Sequence, residues 1–362
     1  LARASHIAVV CLKQAMQKSD SPTPIQNSAA LLSSEENKLV DSALAAFRQG
    51  QLVAIPTETV YGLAAPINSD ELLKKIFQLK ERPLFDPLIV HVANIDQAKG
   101  LVDQWPPLAD KLARQFWPGP LTLVLPKNKN CISSLITAGR DSVGIRVPNH
   151  PLSLALIEKL GVALAAPSAN KFTKTSPTTS AHVRHAFSPQ EVFVLEGGSS
   201  VVGIESTIIA IEENRVSILR QGMITKSMLL SVVGAETEIS YGPSIIEQEQ
   251  DILAPGQFIK HYAPQFPLIV SDHELTDAER IQVAKAMQLT LDQLSSPQLL
   301  SLSKNPLLAA REVYGLLHQS LNGKHWGFIL VPALINYPQE EKEQWQAIFD
   351  RLKKASLFFW VQ

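Results

Sequence analysis

Leu52-Val53-Ala54-Ile55-Pro56-Thr57-Glu58-Thr59-Val60-Tyr61-Gly62 is the stretch whose reading decides the fold. A short apolar run stops at Pro56, and three polar side chains follow at once. The pattern reads as a buried strand emptying into a loop, the place where α/β proteins put ligands. The hydroxyls of Thr57 and Thr59 both donate and accept, so they suit a small polar ligand. Pro56 stiffens the approach, and Gly62 lets the backbone turn where a side chain would obstruct. Alone, the stretch suits an ordinary β-turn equally well. Matching polar loops further along the chain favour the ligand reading.

Composition narrows the class. A chain of 362 residues exceeds a typical domain of about 100–200 and points to two domains. Hydrophobic residues at 45% allow a full core, while a net charge of −1 gives no global field toward nucleic acid or membrane. Two cysteines, Cys11 and Cys131, make neither a disulfide framework nor a zinc site, which suits a reducing, cytoplasmic setting. No apolar run reaches the roughly 20 residues that span a bilayer.

Working outward from the opening stretch, residues 1–32 read as a disordered extension, with an organelle-targeting segment as the alternative because no acid precedes Asp20. Ser33 with Glu36 fits a capping box ahead of an amphipathic helix that Gly50 closes. A second helix starting near Asn68–Ser69 delivers Lys80-Glu81-Arg82-Pro83. Lys80 and Arg82 there either complement the helix dipole or hold phosphates, Arg82 by its planar fork and Lys80 as a point charge. His91 alternates with Val90 and Val92 and so shares a strand face with Ile89. Arg146 sits inside the otherwise apolar strand Val143–Val147, where a buried guanidinium needs an anionic partner, from the protein or from a ligand. Small residues at Val162–Ala166 run into Pro167-Ser168-Ala169-Asn170, and Ser176-Pro177-Thr178 supplies another hydroxyl-rich loop. The first domain spans 33–234. Residues 235–266 read as a linker carrying His261-Tyr262-Ala263-Pro264. From 267 to 362 strands alternate with helices, the mark of a small parallel α/β domain. It lacks the glycine motifs of nucleotide-binding loops.

Taken in order, Pro56–Gly62, Lys80-x-Arg82-Pro83, Pro87–His91, Gly144-Ile145-Arg146-Val147-Pro148, Pro167–Asn170, Ser176-Pro177-Thr178 and Glu205-Ser206-Thr207 resemble the YrdC-like threonylcarbamoyl-AMP synthases. The His-Tyr-Ala-Pro linker and the C-terminal α/β segment resemble the two-domain form, so the resemblance covers residues 33–362. It implies a twisted, mixed α/β sheet with helices around an open cavity, joined to a small Rossmann-like domain. It further implies a nucleotidyltransferase that makes threonylcarbamoyl-AMP and pyrophosphate from L-threonine, bicarbonate and ATP with Mg²⁺. A transferase complex would then carry the threonylcarbamoyl group to tRNA.

By the same resemblance Thr57, His91, Arg146, Ala166 and Ser206 surround threonine, with Arg146 on its carboxylate. Arg82, Asp86, Ser142, Ser168, Ser176 and Arg220 lie along ATP, Lys80 assists at the phosphates, and Tyr262 closes as a lid. Lys80, Arg82 and Arg146 are thus the expected catalytic groups, and no side chain is a direct metal ligand. Four departures bear on local geometry. Asp86 stands where an uncharged polar residue is common, which suggests a route through Mg²⁺. Ala64-Ala65, Thr173 and Gln221 stand where glycine, glycine and proline are common. Two other readings stay open: an RNA-binding module with weak RNA contact, and carbamoyl transfer from carbamoyl phosphate. The neutral isoelectric point weighs against the first, and the shortage of cysteines for zinc fingers weighs against the second.

Overall fold

The run Leu52–Ile55 is strand β1, with all four residues buried, and the helix before it follows the capping logic of its sequence. The structure, a computed structural model, describes residues 32–242, 254–255, 261–294 and 297–361. The expected extension, apart from Leu32, and much of the linker lie outside the described residues. Helix α1 (Ser34–Arg48) opens on the Ser33–Glu36 capping box, in which Glu36 N donates to Ser33 Oγ at 3.2 Å and Ser33 N donates to Glu36 Oε2 at 2.9 Å. It buries Val40, Ala43, Leu44 and Phe47.

After β1 the elements run β2 (Gly62–Pro66), α2 (Asp70–Lys80), β3 (Ile89–His91), α3 (Ile95–Gly100), α4 (Pro107–Phe116), β4 (Leu121–Pro126), α5 (Ser134–Thr137) and β5 (Ser142–Arg146). Then come α6 (Pro151–Leu160), β6 (Leu164–Ala165), α7 (Ser180–Ala186), β7 (Val192–Val194), β8 (Thr207–Glu212), β9 (Arg215–Arg220), α8 (Lys226–Val233) and β10 (Glu238–Tyr241). These strands form one ten-stranded sheet in the order β10-β9-β8-β4-β5-β3-β6-β2-β1-β7. Its pairings are mixed: β1 runs antiparallel to β2 and parallel to β7, and β5 runs parallel to β3 and antiparallel to β4.

The two faces of this sheet do different jobs. Val90, Leu123, Val143, Ile145, Ile209 and Val216 pack into the main core. Ile89, Val124, Ile208 and Leu219 pack on the opposite face with Ala254 of the linker. Period-two alternation therefore sends His91, with Ile89, and Arg146, with Gly144, away from the main core. That placement is what builds a cleft.

Two strands depart from the sequence expectation. β2 falls where a loop was expected, because Gly-Leu-Ala-Ala-Pro has little intrinsic β preference and is held by β1 and β6 pairing. β10 falls inside the expected linker, paired in parallel with β9.

The second unit is β11 (Leu268–Ser271), α9 (Asp277–Met287), α10 (Leu291–Leu294), β12 (Gln298–Leu300), α11 (Pro306–Leu317), β13 (Gly327–Leu330), α12 (Gln339–Ala355) and β14 (Phe358–Trp360). Its four strands are all parallel, in the order β12-β13-β11-β14, as strand–helix alternation predicts. Helix α12 packs on α8, and Ser227 N and Oγ both donate to Glu343 at 2.9 Å, so the two units share a bonded interface. Among the described residues no helix is long and apolar enough to cross a membrane.

Candidate active site

A cleft of about 550 Å³, partly open to solvent, lies where the β1–β2 loop, β3, the end of β5, the 166–168 segment, the 205–206 segment leading into β8, the end of β9 and the linker converge. Its walls include Thr57, Thr59, Arg82, His91, Arg146, Ala166, Ser168, Glu205, Ser206, Arg220, His261 and Tyr262. All five residues expected around threonine are among them. A second cleft of about 320 Å³ shares Ile89 and Pro255 with the first and holds Ser142, Gly144 and Arg140.

Each polar group is held by local structure. Thr57 Oγ1 donates to Val60 O at 2.6 Å and lies 2.8 Å from Thr59 Oγ1, so the loop closes on its own hydroxyls. Gly62 is needed where β2 passes 166–168: a Cβ there would meet Ala166 Cβ at 3.1 Å, and Leu63 N donates to Pro167 O at 2.7 Å. His91 lies opposite Arg146 in the parallel β3–β5 pairing. The Arg146 Nη2 is 2.7 Å from Glu58 Oε2, and its Nε donates to Gly119 O at 3.1 Å. Nη1 is left without a protein partner among the described residues. Ser206 Oγ bridges Thr122 Oγ1 at 2.8 Å and Arg220 Nη2 at 3.1 Å.

Four expected site residues stand elsewhere. Lys80 is not on the cleft wall: its ammonium donates to Ser168 O at 2.6 Å and Asn170 O at 2.5 Å, which fixes the Pro167–Asn170 loop. Burial, joined by the Arg82 charge, pulls Lys80 well below the ordinary lysine range. Asp86 is fully buried behind Arg82, 2.8 Å from its Nη2. The Ser176 hydroxyl donates to Glu205 at 2.6 Å. Ser142 lines only the second cleft.

Glu205 and Glu58 are the site residues that sequence reasoning passed over. Each carried a signal, a carboxylate between buried neighbours in a quoted motif. Burial pushes the Glu205 carboxyl up, but the Arg351 and Arg220 charges and the Ser176 and Tyr314 hydroxyls outweigh it and bring it to about 2. Pro255, His261 and Tyr262 of the linker line the cleft. Tyr262 is buried, Thr175 Oγ1 donates to its carbonyl at 3.1 Å, and Ala263 N donates to Thr173 O at 2.8 Å. His261 Nδ1 is buried with no hydrogen-bond partner among the described residues.

Two predictions arise here. Thr173 holds φ +64°, where a β-branched side chain costs about 1–2 kcal/mol and glycine's looser unfolded chain gives back part of the gain. Thr173→Gly should therefore stabilise the fold by about 0.5 kcal/mol in denaturant unfolding; a loss of stability would show the strain argument wrong. The second concerns acid. Burial lowers His91 and His261 to about 3. Between pH 6.5 and 3 the unfolded chain holds more protons, so the contribution is full above 6.5 and shrinks as pH falls. By pH 5 the loss should amount to about 2 kcal/mol for each. His91→Gln should remove that share of the difference in unfolding free energy between pH 7.5 and pH 5, and an unchanged pH slope would refute it.

Comparison with known proteins gives the lineage of this site. A family profile described as telomere recombination, the Sua5/YciO/YrdC domain, matches residues 45–222, and the threonylcarbamoyl-AMP synthase C-terminal domain matches 224–356. A threonylcarbamoyl-AMP synthase of Bacillus subtilis is 40% identical over 243 residues, 67% of this chain and 68% of that protein. One from Pyrococcus abyssi is 35% identical over 321 residues, 85% of this chain and 91% of its own. The crystal structure of P. abyssi Sua5 complexed with L-threonine superposes with a TM-score of 0.74 at 32% identity, over 90% of this chain and 97% of that one. With both domains matched, and a relative 35% identical over 85% of this chain, the chain belongs to the Sua5/YciO/YrdC family of threonylcarbamoyl-AMP synthases, in its two-domain form.

Proposed function

We propose that the cleft joins L-threonine, bicarbonate and ATP into threonylcarbamoyl-AMP and pyrophosphate. The observation that carries this reading is the convergence of Thr57, His91, Arg146, Ala166 and Ser206 with Arg82, Ser168 and Arg220 on one wall system. Threonine's carboxylate is assigned to Arg146, whose Nη1 donors are free of protein partners among the described residues. Ala166 leaves room beside them, and Thr57 and Ser206 lie within the same walls. The triphosphate is assigned to Arg82 and Arg220, with Ser168 beside them and Ser142 further along the second cleft. In this arrangement Asp86 and Ser176 act from behind, through Arg82 and Glu205, and Lys80 acts through the Pro167–Asn170 loop.

The chemistry then needs little from the protein beyond placement. Threonine's amine adds to bicarbonate with loss of water to give a carbamate. A carbamate oxygen attacks the α-phosphorus of ATP, and the bond to the β-phosphate oxygen breaks to release pyrophosphate. The protein's share is alignment and neutralisation of phosphate charge by fixed guanidinium groups. Tyr262, already buried over the cleft, keeps water from a hydrolysable product.

Among the described residues no three His, Cys, Asp or Glu side chains gather to hold a metal ion, and Glu58, Asp86 and Glu205 each lie on an arginine. The donor set fits a Mg²⁺ carried on ATP phosphates better than a cage of protein ligands, and such an ion would offset phosphate charge. The product's acyl group would pass to a transferase complex acting on tRNA, in the cytoplasm, where an exposed free Cys131 is at home. The test is pyrophosphate release from ATP and bicarbonate with and without L-threonine. Threonine-dependent release is expected; release that ignores threonine, or none from folded protein, would overturn the assignment.

A further inference from the structure

Two buried guanidinium groups flank one carboxylate at the back of the cleft, and only one of them is bonded to it. Glu205 Oε2 accepts from Arg351 Nε at 3.1 Å and from Tyr314 Oη at 2.8 Å, while Oε1 accepts from Ser176 Oγ at 2.6 Å. Arg351 comes from α12 and Tyr314 from α11, both in the C-terminal domain. Arg351 is fully buried, donates from Nη1 to Gln221 O at 2.5 Å, and its guanidinium carbon lies 5.8 Å from the Tyr262 ring. Arg220, on the cleft wall, spends its donors on Ser206 O, Ser206 Oγ and Pro255 O, at 3.1, 3.1 and 3.2 Å. None of those acceptors is charged, so Arg220 keeps a net positive charge at the cleft.

We propose that the C-terminal domain supplies two positioning residues to the active site. Arg351 and Tyr314 fix and neutralise Glu205, so that Arg220 remains available to the anionic substrate. The inference rests on the reading above that this substrate is ATP. A bare carboxylate beside Arg220 would act twice against the triphosphate: it would repel phosphate charge, and it would draw the guanidinium onto itself. The Glu205–Ser176 bond carries the same constraint into the Ser176–Thr178 loop.

The test is ATP affinity by titration calorimetry without threonine, which reads the effect independently of turnover. Arg351→Met should weaken ATP binding about 30-fold, and Tyr314→Phe about threefold, because it removes one hydrogen bond and no charge. The double variant Glu205→Gln with Arg351→Met should regain affinity to within about threefold of the parent, since the uncompensated charge is gone. A merely structural docking role for Arg351 would leave the double variant no better than the single one, and that result would overturn the proposal. Parental affinity in Arg351→Met would overturn it too. Should Arg351→Met not fold, as circular dichroism will show, Tyr314→Phe and the double variant decide the matter: full parental affinity in Tyr314→Phe, or weak binding by the folded double variant, refutes it. A parent that binds ATP but releases no threonine-dependent pyrophosphate would sink the functional reading while leaving these affinities to decide the inference. A parent that binds no ATP overturns both.

Discussion

Arg146→Met is expected to lower threonine-dependent pyrophosphate release about a thousandfold and to destabilise the fold by about 3–5 kcal/mol. The two effects have different sources. The stability loss comes from Glu58, a fully buried side chain whose Oε2 lies 2.7 Å from Arg146 Nη2 and accepts Asn149 N at 3.0 Å. Removing the guanidinium leaves that carboxylate buried with one backbone donor. The activity loss comes from the vacated Nη1 donors, the groups assigned to the threonine carboxylate. Combining Glu58→Gln with Arg146→Met separates them: denaturant unfolding should recover most of the lost stability, because no bare charge remains, and turnover should stay near the level of the single variant. Substantial turnover in a folded Arg146→Met protein would remove Arg146 from the carboxylate role. An undiminished stability would show that Glu58 does not depend on it.

Gly203→Ala should be about as damaging to stability, although the residue is not among those lining the cleft. Gly203 holds φ +86°, and a Cβ there would overlap both Ala310 O and Arg311 Cα, backbone atoms of α11. Backbone of a packed helix cannot give way as a side-chain tip can. The clash and the left-handed conformation together are expected to cost about 3 kcal/mol or more. Tyr314 lies one turn further along the same helix, so a displaced α11 should carry its hydroxyl off Glu205 and raise the ATP concentration needed for half-maximal rate. Gly198→Ala is the control. Gly198 holds φ +76° with nothing within 4 Å of the place a methyl group would take, and should lose about 1–2 kcal/mol from conformation alone. Equal losses in the two variants would show that the approach to α11 contributes nothing.

The local half of this design was open to reading in the chain. The capping box at Ser33, the buried run before Pro56 and the alternation that puts His91 with Ile89 all depend on periods of 3.6 or 2, which neighbouring residues carry among themselves. The demand that Arg146 find an anion also followed from its apolar surroundings, and the ordered motifs brought in the family and the two-domain form. The family pattern marked Thr173 as a departure that bears on loop geometry, and the structure gives it a positive φ.

Tertiary structure alone decided how the charged and polar groups are shared out. Lys80 looked like a phosphate ligand until its donors met the Ser168 and Asn170 carbonyls, and Ser176 looked like one until its hydroxyl met Glu205. β2 exists because β1 and β6 offer it partners, not because its residues favour a strand. Most of all, Glu205 is bonded by an arginine 146 positions further along. Propensity and periodicity act between near neighbours, whereas a buried charge takes whichever opposite charge the docked domains bring beside it. Sequence by itself therefore determined most of the elements and the alternation that turns His91 and Arg146 to one face; only tertiary packing, within the first domain and between the two, determined which polar side chains bond to the protein and which line the cleft.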